Sequence, residues 1–196
     1  MSETNPFVID ETTEEGGGSK YIQIVEEKDF IQTDVLVTKF QLSEDAKYIE
    51  VEVTNSKGQA ASRRWYLPKE ESEYPEKKKY LNAVKVFMGN MANISRKYMG
   101  ESYKVTGNTA AEIANKVISD ITPKLDKVKV AVLLELNEVD KGIFTNIGSF
   151  APFSVDGSDL AVDGKQRLLL QKKLISLSAK PDSDLPPTGE TKKTPF

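Results

Sequence analysis

The sequence predicts a mostly β, α+β domain with inserted helices, and three observations support this fold class. Apolar and polar residues alternate strictly over residues 48–54, which is the period of a half-buried strand. Residues 81–98 and 109–121 repeat their apolar side chains every three or four positions, which is the period of a helix. Continuous apolar runs at residues 35–42 and 128–136 have the length of buried strands.

The first half of the folded region is predicted to contain three strands. Val35 to Leu42 is rich in Val, Phe and Leu, which favours a strand. The alternating segment 48–54 follows, and its core-facing residues are predicted to be Ile49, Val51 and Val53. The turn Asn55-Ser56-Lys57-Gly58 joins it to Ala60–Leu67, which predicts a hairpin.

The second half is predicted to contain two helices and two strands. The buried stripe of the first helix is predicted to be Leu81, Val84, Met88, Met91, Ile94 and Tyr98. The second helix begins with a capping box, Thr109 to Glu112, and ends before Pro123. Strands are expected at 128–136 and 143–147, whereas residues 160–177 fit a strand or a short helix equally well.

Three strands, a helical insertion and two strands are the element order of an OB-type five-stranded barrel. Five strands in another order would give an open antiparallel sheet with helices on one face, which is the alternative. The acidic, Gly-containing residues 1–19 predict a flexible arm, and the Pro-rich residues 181–196 predict a flexible tail. The folded domain is therefore expected at residues 20–180.

The composition argues against most catalytic chemistry. The chain has no Cys and no His, which excludes disulfides and thiolate nucleophiles and removes the commonest general base. It also lacks a G-x-S-x-G elbow and a phosphate-binding glycine loop followed by Lys and Ser or Thr. We predict a binding protein rather than an enzyme, with no cofactor and no metal.

The sequence also predicts a soluble protein. No apolar run approaches the roughly 18 residues of a membrane span, and the first five residues lack the basic start of a signal peptide. We therefore expect a cytoplasmic, non-secreted protein with no membrane partner.

Charge is segregated along the chain. Residues 1–30 carry eight acidic side chains and two lysines, whereas residues 57–104 carry eleven basic side chains and five acidic ones. A local excess of cations inside an acidic protein favours a negatively charged partner.

Aromatic side chains beside these cations suggest which partner. Binding of single-stranded nucleic acid needs cations for the phosphates and rings on which bases stack. The only Trp of a small domain is usually buried, so Tyr66 is the better candidate for base stacking, with Arg64 on the face of its ring. The sequence does not decide on which face of the strand Trp65 lies. The predicted DNA-binding residues are Arg63, Arg64, Trp65, Tyr66, Lys69, Arg96, Lys97, Lys104, Lys141 and Phe144.

This combination resembles the single-stranded DNA-binding proteins of tailed bacteriophages. The resemblance spans roughly residues 35–155 and is carried by Arg63-Arg64-Trp65-Tyr66-Leu67-Pro68-Lys69, Asn90-Met91-Ala92-Asn93-Ile94, and Lys127–Leu136 leading to Lys141-Gly142. It implies an OB-type fold and sequence-independent binding of single-stranded DNA during replication, recombination and repair. It also implies a location in the cytoplasm of a bacterial host cell.

The C-terminus carries a second resemblance. The chain ends Pro195-Phe196, which is similar to the tail tip with which bacterial single-stranded DNA-binding proteins dock onto partner enzymes. This implies replication or recombination proteins as partners, although Lys192 and Lys193 stand where that family has acids. The alternative function is a non-catalytic protein-interaction or virion-associated structural module.

Overall fold

The computed structural model describes residues 20–140 and 142–178. The predicted arm at 1–19 and the predicted tail at 181–196 lie outside the described residues. The described chain is an α+β fold built on a six-stranded antiparallel sheet, as the sequence predicted for the fold class.

Three consecutive strands form one side of the sheet. They are β1 (Ile31–Leu42), β2 (Tyr48–Thr54) and β3 (Ala60–Tyr66). The predicted alternation in β2 is confirmed, because Ile49, Val51 and Val53 are fully buried. The β2–β3 turn closes with a hydrogen bond from the Gly58 N–H to the Asn55 carbonyl, and Gly58 adopts φ +73°, which favours glycine.

Two helices connect β3 to the next strand. Helix α1 spans Lys77–Met99 and helix α2 spans Ala110–Ile121. The predicted capping box of α2 is confirmed at its Thr109 side, because the hydroxyl accepts the Glu112 N–H at 3.2 Å.

The buried face of α1 differs from the predicted stripe. Leu81 and Met88 are exposed, whereas Phe87 and the polar residues Asn90 and Ser95 are buried. Asn90 explains the difference, since its side-chain amide donates to the Ser149 carbonyl and accepts the Ala151 N–H. The helix therefore buries Asn90, which holds a distant loop, and the spacing of apolar residues could not predict this.

The remaining strands are β4 (Val130–Val139), β5 (Gly142–Ile147) and the two-residue β6 (Phe153–Ser154). The ambiguous segment forms a helix, α3, over Gly164–Ser178. Short 3-10 helices lie at Glu27–Phe30, Glu71–Glu73 and Thr122–Lys124.

The strand order is β3-β2-β1-β4-β5, with β6 paired to β4. Strand β1 joins the two halves, because it pairs with β2 along one edge and with β4 along the other. Within the described chain, β3 and β5 share no ladder of backbone hydrogen bonds, so the sheet does not close between these two strands, and residues 20–22 pair with β3 at Ala60. This open seam is where the predicted binding strand lies.

Candidate functional site

The outward face of the β2–β3 hairpin carries rings and charges in register. Tyr48 lies opposite Tyr66, and Glu50 lies opposite Arg64. We call these four residues the outer ladder. The two tyrosine rings meet edge to face with centroids 5.8 Å apart, and Tyr66 remains 68% exposed. The prediction that the Tyr66 ring faces outward is confirmed.

Arg64 stacks on a different ring from the one predicted. Its guanidinium carbon lies 4.7 Å from the centroid of the Tyr48 ring, not on Tyr66. The register accounts for this contact, because Tyr48 is the diagonal neighbour of Arg64 on β2 and lies within reach of its side chain. Tyr48 is thereby held in place, and Tyr66 is the ring whose surface is available.

Glu50 and Glu52 reduce the positive charge of this face. The Glu50 carboxylate pairs with the Lys39 ammonium and lies 3.8 Å from the Arg64 Nε. The hydrogen bond from Lys39 lowers the pKa of Glu50, with a smaller contribution from the charge of Arg64. Glu52 accepts a hydrogen bond from the Thr38 hydroxyl at 3.0 Å. The carboxylates of Glu50 and Glu52 offset the positive charges of Lys39 and Arg64. This face therefore exposes aromatic rings but carries little net positive charge.

Arg63 points to the other side of the strand and has a different environment. Its guanidinium donates to the Glu135 carboxylate at 3.0 Å and to the Ile147 carbonyl at 2.7 Å. Glu135 also accepts the N–H and the hydroxyl of Ser149, both at 3.0 Å. We call Arg63, Glu135, Ile147 and Ser149 the edge bridge, because it connects β3 to β4 and β5. The interpretation of Arg63 as a free phosphate-binding cation is corrected by these contacts.

Trp65 belongs to the core. The side chain is only 4% exposed and its ring lies between Phe40 and Phe153, at centroid distances of 6.1 and 6.0 Å. Strand alternation places it on the same side of β3 as Ala61, which is also buried. The structure therefore removes Trp65 from the predicted stacking rings.

A cleft separates the edge of β3 from β5. The part beside the outer ladder has a volume of about 560 Å³, and the part beside Phe144 has a volume of about 700 Å³. Both parts are lined by Ser62, Asn137, Val139 and Asn146, so they form one continuous feature, the β3–β5 cleft. Phe144, one of the predicted DNA-binding residues, is half exposed at the second part.

The other predicted cations do not join this cleft. Arg96 lies 3.9 Å from Glu101, and Lys69 lies 3.9 Å from Glu73. Lys97, which was predicted to bind DNA, has a side chain that is only 12% exposed and lies 3.6 Å from Asp159. Lys104 is exposed on the segment after α1. Among the described residues, only Arg63 and Arg64 of the predicted cations line the cleft, whereas Lys69 lies between β3 and α1, and Arg96, Lys97 and Lys104 lie at the C-terminal end of α1 or just after it.

Three predicted site residues cannot be placed. Lys141, Pro195 and Phe196 lie outside the described residues.

Across residues 20–140 and 142–178, no three Asp or Glu side chains cluster in a way that could hold a metal ion. In the same ranges no helix combines the length and the apolar character needed to cross a membrane.

No protein-family model and no curated protein matches the chain. The features of the described chain that indicate a function are therefore the outer ladder and the β3–β5 cleft.

Sequence reasoning missed several residues of this site. Lys39 pairs with Glu50 from the neighbouring strand, and Asn137 and Asn146 reach the cleft from the β4–β5 hairpin. Lys173 lines the cleft from α3, in the segment whose structure the sequence left open. The alternation of β4 was a usable signal for Asn137, because it places that residue on the face opposite to Leu134 and Leu136.

Proposed function

We propose that the protein is a sequence-independent single-stranded DNA-binding protein without enzymatic activity, acting in phage DNA replication, recombination and repair. The observation that carries the proposal is the exposed Tyr66 ring beside Arg64, at the mouth of a cleft that also exposes the Phe144 ring. Flat rings beside a cation on one open groove are what base stacking and phosphate binding require. Docking of replication or recombination proteins onto Pro195 and Phe196 is part of the same proposal.

We further propose that the sheet is a partly open OB-type barrel. Two features support this assignment: the strand order, in which β1 pairs with both β2 and β4, and the position of α1 and α2 between β3 and β4. The edge bridge also brings β3 and β5 together across the seam. In OB folds the face of the second and third strands binds oligonucleotides, and the outer ladder lies on β2 and β3.

Stacking is expected to contribute more to binding than phosphate contacts. Each base stacked on an aromatic ring is worth about 1–3 kcal/mol, and the cleft offers Tyr66 and Phe144. The cations of the outer face share their charge with Glu50 and Glu52. Few counterions would therefore be released from the DNA, and the affinity should fall only gently with salt.

The test is fluorescence anisotropy of labelled oligo-dT and of a matched duplex, over a salt series. We expect binding to the single strand only, and Tyr66→Ala should weaken it by about 10-fold or more through the lost stacking. Tyr66→Phe keeps the ring and is the matched control that should bind as wild type. Arg64→Ala should also weaken binding, whereas Arg96→Ala, outside the cleft, should not.

Two results would contradict the proposal. One is the absence of binding to oligo-dT at low salt, and the other is an unchanged affinity after Tyr66→Ala. The first result would favour the second candidate function, a protein-interaction or virion-associated structural module. That candidate is supported by α3, which exposes Leu168 and Ile175 two helical turns apart on one face.

A further inference from the structure

We infer that the part of the β3–β5 cleft beside Phe144 holds one base of the bound strand and prefers a base with keto oxygens, such as thymine, through Lys173. The inference rests on the proposed function and adds to it a single subsite with base preference. Three features of the cleft carry it: a buried ammonium group, two side-chain amides and an exposed ring.

The ammonium group belongs to Lys173 on α3, which lines this part of the cleft and is only 8% exposed. Its Nζ donates to the Ile24 carbonyl at 3.2 Å and to the Gln23 side-chain oxygen at 3.4 Å. Among the described residues no carboxylate lies within ion-pair distance of it. Burial lowers the pKa of Lys173, because no counter-charge stabilises the ammonium form.

A buried charge of this kind is costly unless oxygen atoms surround it. An ammonium group has three N–H donors and no acceptor, so two protein oxygens leave one donor for a ligand. Lys173 can therefore donate to a ligand oxygen in this part of the cleft.

The two amides and the ring lie on one face of the β4–β5 hairpin. Asn137 is the direct cross-strand neighbour of Phe144, and Asn146 follows two residues along β5. No hydrogen bond occupies either amide within the part of the chain that the structure describes. A planar group stacked on Phe144 would meet both a donor and an acceptor at its edge.

Thymine matches these groups better than adenine does. Its pairing edge presents a keto oxygen on each side of a ring N–H, so it accepts from an ammonium or an amide NH2 and donates to an amide oxygen. Adenine's pairing edge has a single ring-nitrogen acceptor beside an amino donor, so it cannot accept from the Lys173 ammonium and from an amide NH2 at the same time. A phosphate is a poorer occupant, because Ile143, Phe144 and Val139 are among the lining residues and would contact a base ring but would not replace the water around a phosphate.

The experiment measures the affinities of oligo-dT and oligo-dA for the wild-type protein and for Lys173→Met. The variant keeps an apolar stem of similar length, and removing an uncompensated buried charge should leave the fold intact. We expect the dT/dA affinity ratio to fall by about 10-fold, the effect of one lost hydrogen bond to a charged group. Taking the ratio between the two proteins cancels the different self-stacking of the free oligonucleotides.

Asn137→Ala is the second variant, since it reports on the same subsite without altering α3. It should also lower the dT/dA affinity ratio, by a smaller factor, and thermal melting checks that both variants fold.

An unchanged dT/dA affinity ratio in both variants would overturn the inference. An equal loss for both oligonucleotides, with a salt slope reduced by about one, would also overturn it by showing that Lys173 binds a phosphate. Absence of any binding by the wild-type protein would instead refute the proposed function itself.

Discussion

Arg63 and Arg64 are neighbours in the sequence, yet their side chains lie in two regions that differ in burial and in contacts. Arg63 belongs to the edge bridge, where a 25% exposed side chain joins β3 to Glu135 and to the Ile147 carbonyl. Arg64 belongs to the outer ladder, where a 57% exposed side chain lies on the Tyr48 ring. Because successive side chains of a strand point to opposite faces, one of these two arginines connects strands and the other is exposed on the outer face.

The largest expected effect comes from the edge bridge. Arg63→Ala leaves the half-buried Glu135 carboxylate without its cation and the Ile147 carbonyl without its donor, so we expect a loss of about 2 kcal/mol in the free energy of unfolding. Arg64→Ala is the matched control and should change this free energy by less than about 0.5 kcal/mol. Urea denaturation of both variants measures the difference. Equal losses would contradict the division between the two regions.

A change in the outer ladder should alter binding without altering the fold. Glu50→Gln removes the carboxylate that pairs with Lys39 and lies near Arg64, which leaves both cations for phosphate. We expect the affinity for oligo-dT to rise by about threefold at low salt, and the gain to disappear at high salt because screening weakens exposed charges. Anisotropy titrations at both salt concentrations test this. A gain that persists at high salt would show that charge is not its cause.

The smallest effect is expected in the turn that precedes the outer ladder. The Lys47 ammonium and the Ser43 hydroxyl lower the pKa of Asp45 from 3.8 to about 2. Because the folded value is the lower one, this contribution to stability is present above pH 3.8 and is lost as the pH falls towards about 2. The unfolding free energy of wild type should exceed that of Asp45→Asn slightly at about pH 5.5, and this difference should shrink at about pH 2. A difference independent of pH would exclude the carboxylate as its source.

The local elements of the fold could be predicted, because each has a cause within a few residues. The burial of Ile49, Val51 and Val53 follows from alternation, and the start of α2 follows from the Thr109 hydroxyl. The outward Tyr66 and Phe144 rings follow from the same alternation.

The contacts between distant segments could not be predicted in this way. Arg63 meets Glu135 from 72 residues away, and no pattern within β3 indicates that partner. The buried Asn90 likewise depends on a loop about 60 residues later, so a polar residue occupies the face that the helical period reserved for apolar ones. Lys97 was predicted to bind DNA, but its side chain is only 12% exposed and lies 3.6 Å from Asp159, which is distant in the sequence.

The edge bridge also bears on how copies of this protein behave side by side. The edges of β3 and β5 face each other across one seam and share no ladder of hydrogen bonds. Residues 20–22 pair with β3 at Ala60, and an unpaired stretch of strand edge is a template for a strand from another molecule. A strand arriving between β3 and β5 would have to displace the Arg63 guanidinium from Glu135 and Ile147 and bury that charge. The bridge thus disfavours the addition of a strand from another molecule between these two edges.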